Sequence, residues 1–144
     1  MFRKLLVPTD GSDISVAAAL RALPLAKMAG ASITLVFVQD TYPYTGIGEA
    51  NAAGLQAYMA AAREEGTAAM GRISAAAAAQ GVPIDSFVVE DHQAAKGIVD
   101  AAQSCGADLI VMGSHGRSGL AKMVLGSVAV KVLALSPVPV LIIK

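Results

Sequence analysis

Ala107-Asp108-Leu109-Ile110-Val111-Met112-Gly113-Ser114-His115-Gly116 is an almost wholly apolar run that stops at a turn bracketed by glycines. Apolar side chains on both faces mark a strand covered from both sides, as in a parallel sheet between helical layers. On either side of it, short apolar runs alternate with longer Ala-rich segments, the pattern of βαβ units. Phe2–Val7 reads as a first strand ended by Pro8-Thr9-Asp10-Gly11, and Ser12 or Asp13 caps a helix that reaches Met28 and stops at Gly30. Ile33–Val38 is a second strand, and residues 39–49, rich in turn formers, read as a loop or lid. A long helix over about 50–80 has Leu55, Met59, Ala62, Gly66, Met70, Ile73 and Ala77 on one stripe.

Gly81-Val82-Pro83 closes that helix, and Ile84–Val89 follows as a third strand. A helix over Ala94–Ser104 turns Ile98, Ala101 and Ala102 inward, ahead of the fourth strand, Ala107–Met112. A helix over Leu120–Ala134 leads to a fifth strand, Val138–Ile143. The expectation is one α/β domain spanning residues 1–144.

Composition narrows the function. Net charge is zero, with 11 basic and 11 acidic residues, which argues against electrostatic capture of nucleic acid or of an anionic membrane. Mean hydropathy is +0.59, yet no run approaches the roughly 18–20 apolar residues of a spanning helix. Val132–Ile143 is interrupted by Ser136, Pro137 and Pro139. Met1-Phe2-Arg3-Lys4 leads straight into a short strand and does not read as a signal peptide, so a cytoplasmic protein is expected. The single cysteine, Cys105, excludes an internal disulfide and reads as a small helix-end hydrophobe. Glu90-Asp91-His92 reads as a solvated loop, since three adjacent side chains rarely converge on a metal.

The chemistry concentrates after the fourth strand. Gly113-Ser114-His115-Gly116 is followed, nine residues on, by Gly126-Ser127. Bare main chain lets a phosphate approach backbone N–H donors and permits positive φ. The helix that follows adds unpaired amides and the positive end of its dipole, and Ser127 a hydroxyl. Neither a P-loop nor a Gly-x-Gly-x-x-Gly fingerprint occurs, so the cradle is of another kind.

Gly113-x-x-Gly116, nine residues and Gly126-Ser127 resemble the ATP-binding motif of the universal stress protein family. The likeness extends through residues 107–119, 125–129 and 137–142 and to Leu6-Val7-Pro8-Thr9-Asp10-Gly11-Ser12, and so from the first strand to the last. It implies a Rossmann-like, adenine nucleotide alpha hydrolase-like fold: a doubly wound five-stranded parallel sheet, order 3-2-1-4-5, with helices on both faces. In such sheets the ligand sits where the order reverses, between strands 1 and 4.

By resemblance, Pro8, Thr9 and Asp10 lie by the nucleoside, Val38 lines the adenine slot, and Gly113, Gly116, Gly126, Ser127 and Val128 hold ribose and phosphates. Met112, Ser114, His115 and Arg117 complete the candidate nucleotide contacts, and Arg117 or Lys122 can pair with the outer phosphates. Asp10, acceptor-only when ionised, suits an adenine amine, a ribose hydroxyl or a phosphate-bound Mg2+; its competing role is to orient the first turn. His115 has no nucleophile or carboxylate beside it in sequence and reads as structural rather than as a general base.

The implied function is an ATP-binding (or ADP- or AMP-binding) regulatory, stress-response protein with at most slow hydrolysis, because no water-activating residue is evident. A nucleotide-independent dimeric interaction protein and a weak ATPase or other nucleotide-using enzyme are its rivals. The resemblance also implies a homodimer through the last strand, with Val138, Val140, Leu141, Ile142 and Ile143 at a sheet edge.

Overall fold

The computed structural model of the chain describes residues 1–40, 52–91, 93–116 and 125–144. Its elements run β1 (Lys4–Thr9), α1 (Asp13–Ala29), β2 (Ser32–Asp40), α2 (Ala52–Gln80), β3 (Ile84–Asp91), α3 (Ala94–Cys105), β4 (Leu109–Gly113), α4 (Ser127–Leu135) and β5 (Val140–Ile143). The five strands form one parallel sheet in the order β3-β2-β1-β4-β5. This is the doubly wound, Rossmann-like arrangement.

Alternation along the strands divides the core in two. Leu5, Val7, Ile33, Leu35, Leu109 and Val111 face α1 and α2, where they meet Leu23, Ile73 and Ala77. Leu6, Val36, Val38, Ile110 and Met112 face α3 and α4 and pack on Ile98, Ala102, Ala129 and Val132. The stripe on α2 is as expected: Gly66, Ile73 and Ala77 are buried, and Leu55, Met59, Ala62 and Met70 half-buried. Gly66 has a particular reason to be glycine, because a Cβ there would fall 2.3–2.6 Å from three ring atoms of Phe37.

The ends of α1 follow from local chemistry. Ser12 caps its first turn, and Gly30 ends it at φ 64°, a left-handed conformation suited to glycine. Asp108 ties the opposite end of the sheet, accepting from the amides of Arg3 (2.8 Å) and Lys4 (3.1 Å). Burial alone would raise its carboxyl pKa, but the amide donors outweigh it and hold the group below the ordinary value.

Several boundaries differ from the sequence reading. Gln39 and Asp40 continue β2 rather than opening a lid, because the ladder with β3 runs on to Asp40↔Asp91; positions 41–49 lie outside the described residues. The expected start of the last helix, Leu120, lies outside the described residues; Leu125 and Gly126 are not helical, and α4 begins at Ser127. Gly126 is extended (φ −57°, ψ 152°) and donates to Ser114 O at 2.7 Å, which draws the chain onto the loop after β4 before it coils. Val138 stands ahead of β5, not in it: Ser136 Oγ donates to its carbonyl at 2.7 Å and accepts from its amide at 3.2 Å, making a local turn.

Candidate functional site

β1 also runs past its expected end, and the reason opens a crevice. Lys4 O accepts from Asp108 N, so Lys4, Leu6 and Pro8 all present their backbone groups toward β4. Pro8 has no N–H to offer, and the β1–β4 register stops at Leu6↔Ile110. On the other side the ladder to β2 continues through Thr9↔Phe37. The two central strands therefore part at their carboxyl ends, where the winding of the sheet reverses.

A cleft of about 370 Å³ occupies this place, within the usual range of small-molecule sites. Pro8, Thr9 and Asp10 supply its base, Phe37, Val38 and Gln39 the wall from β2, and Tyr58 and Ala62 that from α2. Ala94 and Ile98 of α3 face them, Met112 through Gly116 close the β4 end, and Gly126 through Ala129 bring in the start of α4. The predicted residues Pro8, Thr9, Asp10, Val38, Met112, Gly113, Ser114, His115, Gly116, Gly126, Ser127 and Val128 thus converge on one cavity. Arg117, Lys122 and His92 lie outside the described residues.

A chain of hydroxyls braces the floor. Gly11 N–H donates to Thr9 Oγ1 (3.1 Å), and Ser15 Oγ donates to Ser12 O (2.9 Å). Ser15 having spent its one proton, Thr9 must be the donor in the 2.8 Å Thr9 Oγ1–Ser15 Oγ bond. Asp10 Oδ1 accepts from Ser12 N (3.0 Å) and Ser12 Oγ (2.6 Å), so its turn-orienting role is real.

Glycines make the rim, though not by positive φ as the sequence suggested. Among the described residues that conformation is confined to Gly11, Gly30, Gly81 and Gly106. Gly113, Gly116 and Gly126 instead permit close approach. A Cβ at Gly116 would stand 2.5 Å from Asp10 Oδ2, and one at Gly126 3.1 Å from Ser114 O. At Gly113 it would meet His115 O at 3.3 Å and Ala18 Cβ at 3.4 Å, so this glycine seats β4 against α1 as well as lining the cleft.

Beyond the rim, α4 presents its amino terminus. It has no side-chain cap, and its first intrahelical donor is Val130 N, bonded to Gly126 O at 3.0 Å. The amides of Ser127, Val128 and Ala129 precede that bond in the first turn of α4, and all three residues line the cleft. His115 Nδ1 is 3.1 Å from Ser114 Oγ, while its Nε2 is buried without a partner.

These features fit an elongated anion with an apolar head. Amides and the dipole end receive negative charge near β4 and α4, and apolar or aromatic side chains line the cleft near β2. No group of three His, Cys, Asp or Glu side chains among the described residues is placed to hold a metal. Asp10 is the one carboxylate among the described residues that line the cleft. Sequence reasoning missed Ser15, Phe37, Gln39, Tyr58, Ala62, Ala94, Ile98 and Ala129. A polar Gln ending an apolar strand and a Tyr within an Ala-rich helix were the available signals.

Comparison with known proteins agrees with this architecture. The Universal stress protein family matches residues 1–144. Universal stress protein MJ0531 of Methanocaldococcus jannaschii is 36% identical over 144 residues, 100% of this chain and 83% of its own length. Among solved structures, UspA from Lactobacillus plantarum superposes with a TM-score of 0.85 at 24% identity, covering 99% of this chain and 97% of its own. A universal stress protein solved in complex with cAMP has a TM-score of 0.69 at 27% identity, covering 99% and 97%. No helix among the described residues is long and apolar enough to cross a membrane. With the family match spanning every residue and the doubly wound sheet in the expected order, the chain belongs to the universal stress protein family.

Proposed function

We propose that the cleft binds an adenine nucleotide, ATP with its Mg2+, and that the protein acts as a nucleotide-occupied regulator rather than as a turnover enzyme. The observation that carries this reading is the set of leading α4 amides, Ser127 to Ala129, lining the same cleft as the apolar end of β2. The related structure in complex with cAMP supports an adenine base. The amides, the Ser127 hydroxyl and the close-set Gly116 and Gly126 would hold phosphates, and Val38, Ile98 and Met112 the base. ATP would supply charge and a transferable phosphoryl group. In this reading the chain's own cleft-lining groups bind and orient the nucleotide.

Self-association through β5 is part of the proposal. β5 is an uncharged edge, Val140-Leu141-Ile142-Ile143, with Leu141 41% exposed. Leu133 and Leu135 of the adjoining α4 are exposed too. The other edge, β3, carries Asp85, Glu90 and Asp91. Antiparallel self-pairing about Phe87 and Val88 would set Asp85 against Glu90 of the second copy, and like charges oppose such pairing. Calorimetric titration with MgATP tests the nucleotide reading. Saturable heat at one site per chain is expected, and no saturation up to millimolar concentration overturns it.

A further inference from the structure

Gln39, near the carboxyl end of β2, is 5% exposed and lines the cleft. Its amide is oriented. Arg63 of α2 donates from Nε to Gln39 Oε1 at 3.2 Å, and a guanidinium has donors but no acceptor. The carbonyl oxygen must therefore face Arg63, which leaves the NH2 as the group this side chain offers to anything else it meets. Arg63 is itself steadied by Glu90 of β3, Nη2 to Oε1 at 2.6 Å. Both partners of that pair are more than half exposed (60% and 53%). Such pairs add little stability, so the consequence of this one is to aim Gln39.

Position along the cleft says what Gln39 meets. β1 lies between β2 and β4, and strands are spaced about 4.8 Å apart, so the end of β2 is roughly 10 Å from that of β4. With phosphates at the α4 amides beyond β4, the base falls beside β2. The ring nitrogens of adenine N1, N3 and N7 are acceptors without hydrogen. We infer that Gln39 is a specificity-determining residue that donates from its amide to one ring nitrogen of the bound base, with Arg63 as its positioning residue. This rests on the adenine-nucleotide reading of the cleft.

The test measures Kd for ATP and for its 1-deaza, 3-deaza and 7-deaza analogues. Wild type, Gln39→Leu and Arg63→Met are compared, each checked for fold by circular dichroism. On wild type one analogue should bind about five- to tenfold more weakly than ATP, the loss of one neutral hydrogen bond. On Gln39→Leu that penalty should vanish, and on Arg63→Met it should shrink, because the amide is then free to turn. Gln39→Glu keeps the shape and the Arg63 contact but aims an oxygen at the ring, and should weaken ATP more than Gln39→Leu does. Three analogues that all bind wild type like ATP, or a penalty that persists in Gln39→Leu, would overturn the role of Gln39 alone. A wild type that binds no ATP overturns the nucleotide reading and this inference with it.

Discussion

Two glycines on α2 provide an internally controlled test of the packing at the cleft. Gly66 sits against the ring of Phe37, and Gly71 has nothing within 4 Å of where a Cβ would be. Replacing glycine by alanine inside a helix is favourable by about 1 kcal/mol from propensity alone. Gly71→Ala should gain that amount. At Gly66 the new methyl would lie 2.3–2.6 Å from ring carbons, about 1 Å or more inside ordinary carbon contact. Phe37 is 3% exposed and its ring belongs to the cleft wall, so relief means a shift of α2 or of the ring into the cavity. Overpacking of this kind costs about 1–3 kcal/mol, and the upper part of that range applies because three ring atoms are struck at once. The net for Gly66→Ala is a loss of about 1–2 kcal/mol, and the two variants should differ by about 2–3 kcal/mol. Urea unfolding at a single protein concentration reads this directly. With an m-value of about 2 kcal/mol/M, the midpoints should separate by roughly 1 M with slopes unchanged. Equal stabilisation of both variants would refute the Phe37–Gly66 contact as the reason for the glycine.

Further outcomes follow from the other contacts. Ser15→Ala leaves the Thr9 hydroxyl without its acceptor and should cost about 1–3 kcal/mol, whereas Thr9→Val with Ser15→Ala should cost less than the two single losses added together; additive losses in urea unfolding would count against the hydroxyl chain. The Asp108 carboxyl has a lowered folded pKa, so its contribution is present above the unfolded value of about 3.9 and is lost as pH falls through the folded one. Asp108→Asn should therefore be less stable than wild type at pH 7 and converge with it as pH falls through the lowered folded pKa, and a gap that stays constant as the solution is acidified in thermal melts would contradict the assignment. Gly116→Val drives bulk against Asp10 and should abolish MgATP binding in a protein that still folds; unchanged affinity by calorimetry would remove the close-approach role. Leu141→Lys places a charge on the β5 edge and should shift a dimer to monomer in sedimentation at micromolar concentration, and a wild type already monomeric there would refute the edge as an interface.

Strand and helix identity was legible because it is written locally. Period-two and period-3.6 apolar patterns, the Ser12 cap and the Gly30 stop depend on residues within a few positions of one another. The convergence of Thr9, Asp10, Gly116 and Gly126 was also foreseeable, since the motif marks the loop and the order of the strands places it. What tertiary structure alone decided depends on contacts between distant segments. Pro8 ends one ladder and not the other because its missing donor faces β4 rather than β2. Gly126 stays out of the helix because Ser114, on the loop after β4, takes its amide. Gln39 joins the cleft wall because the β2 ladder runs on beside β3, and Arg63 and Glu90, from another helix and another strand, orient its amide. No residue-by-residue pattern encodes such pairings, since they exist only once the chain has brought the partners together.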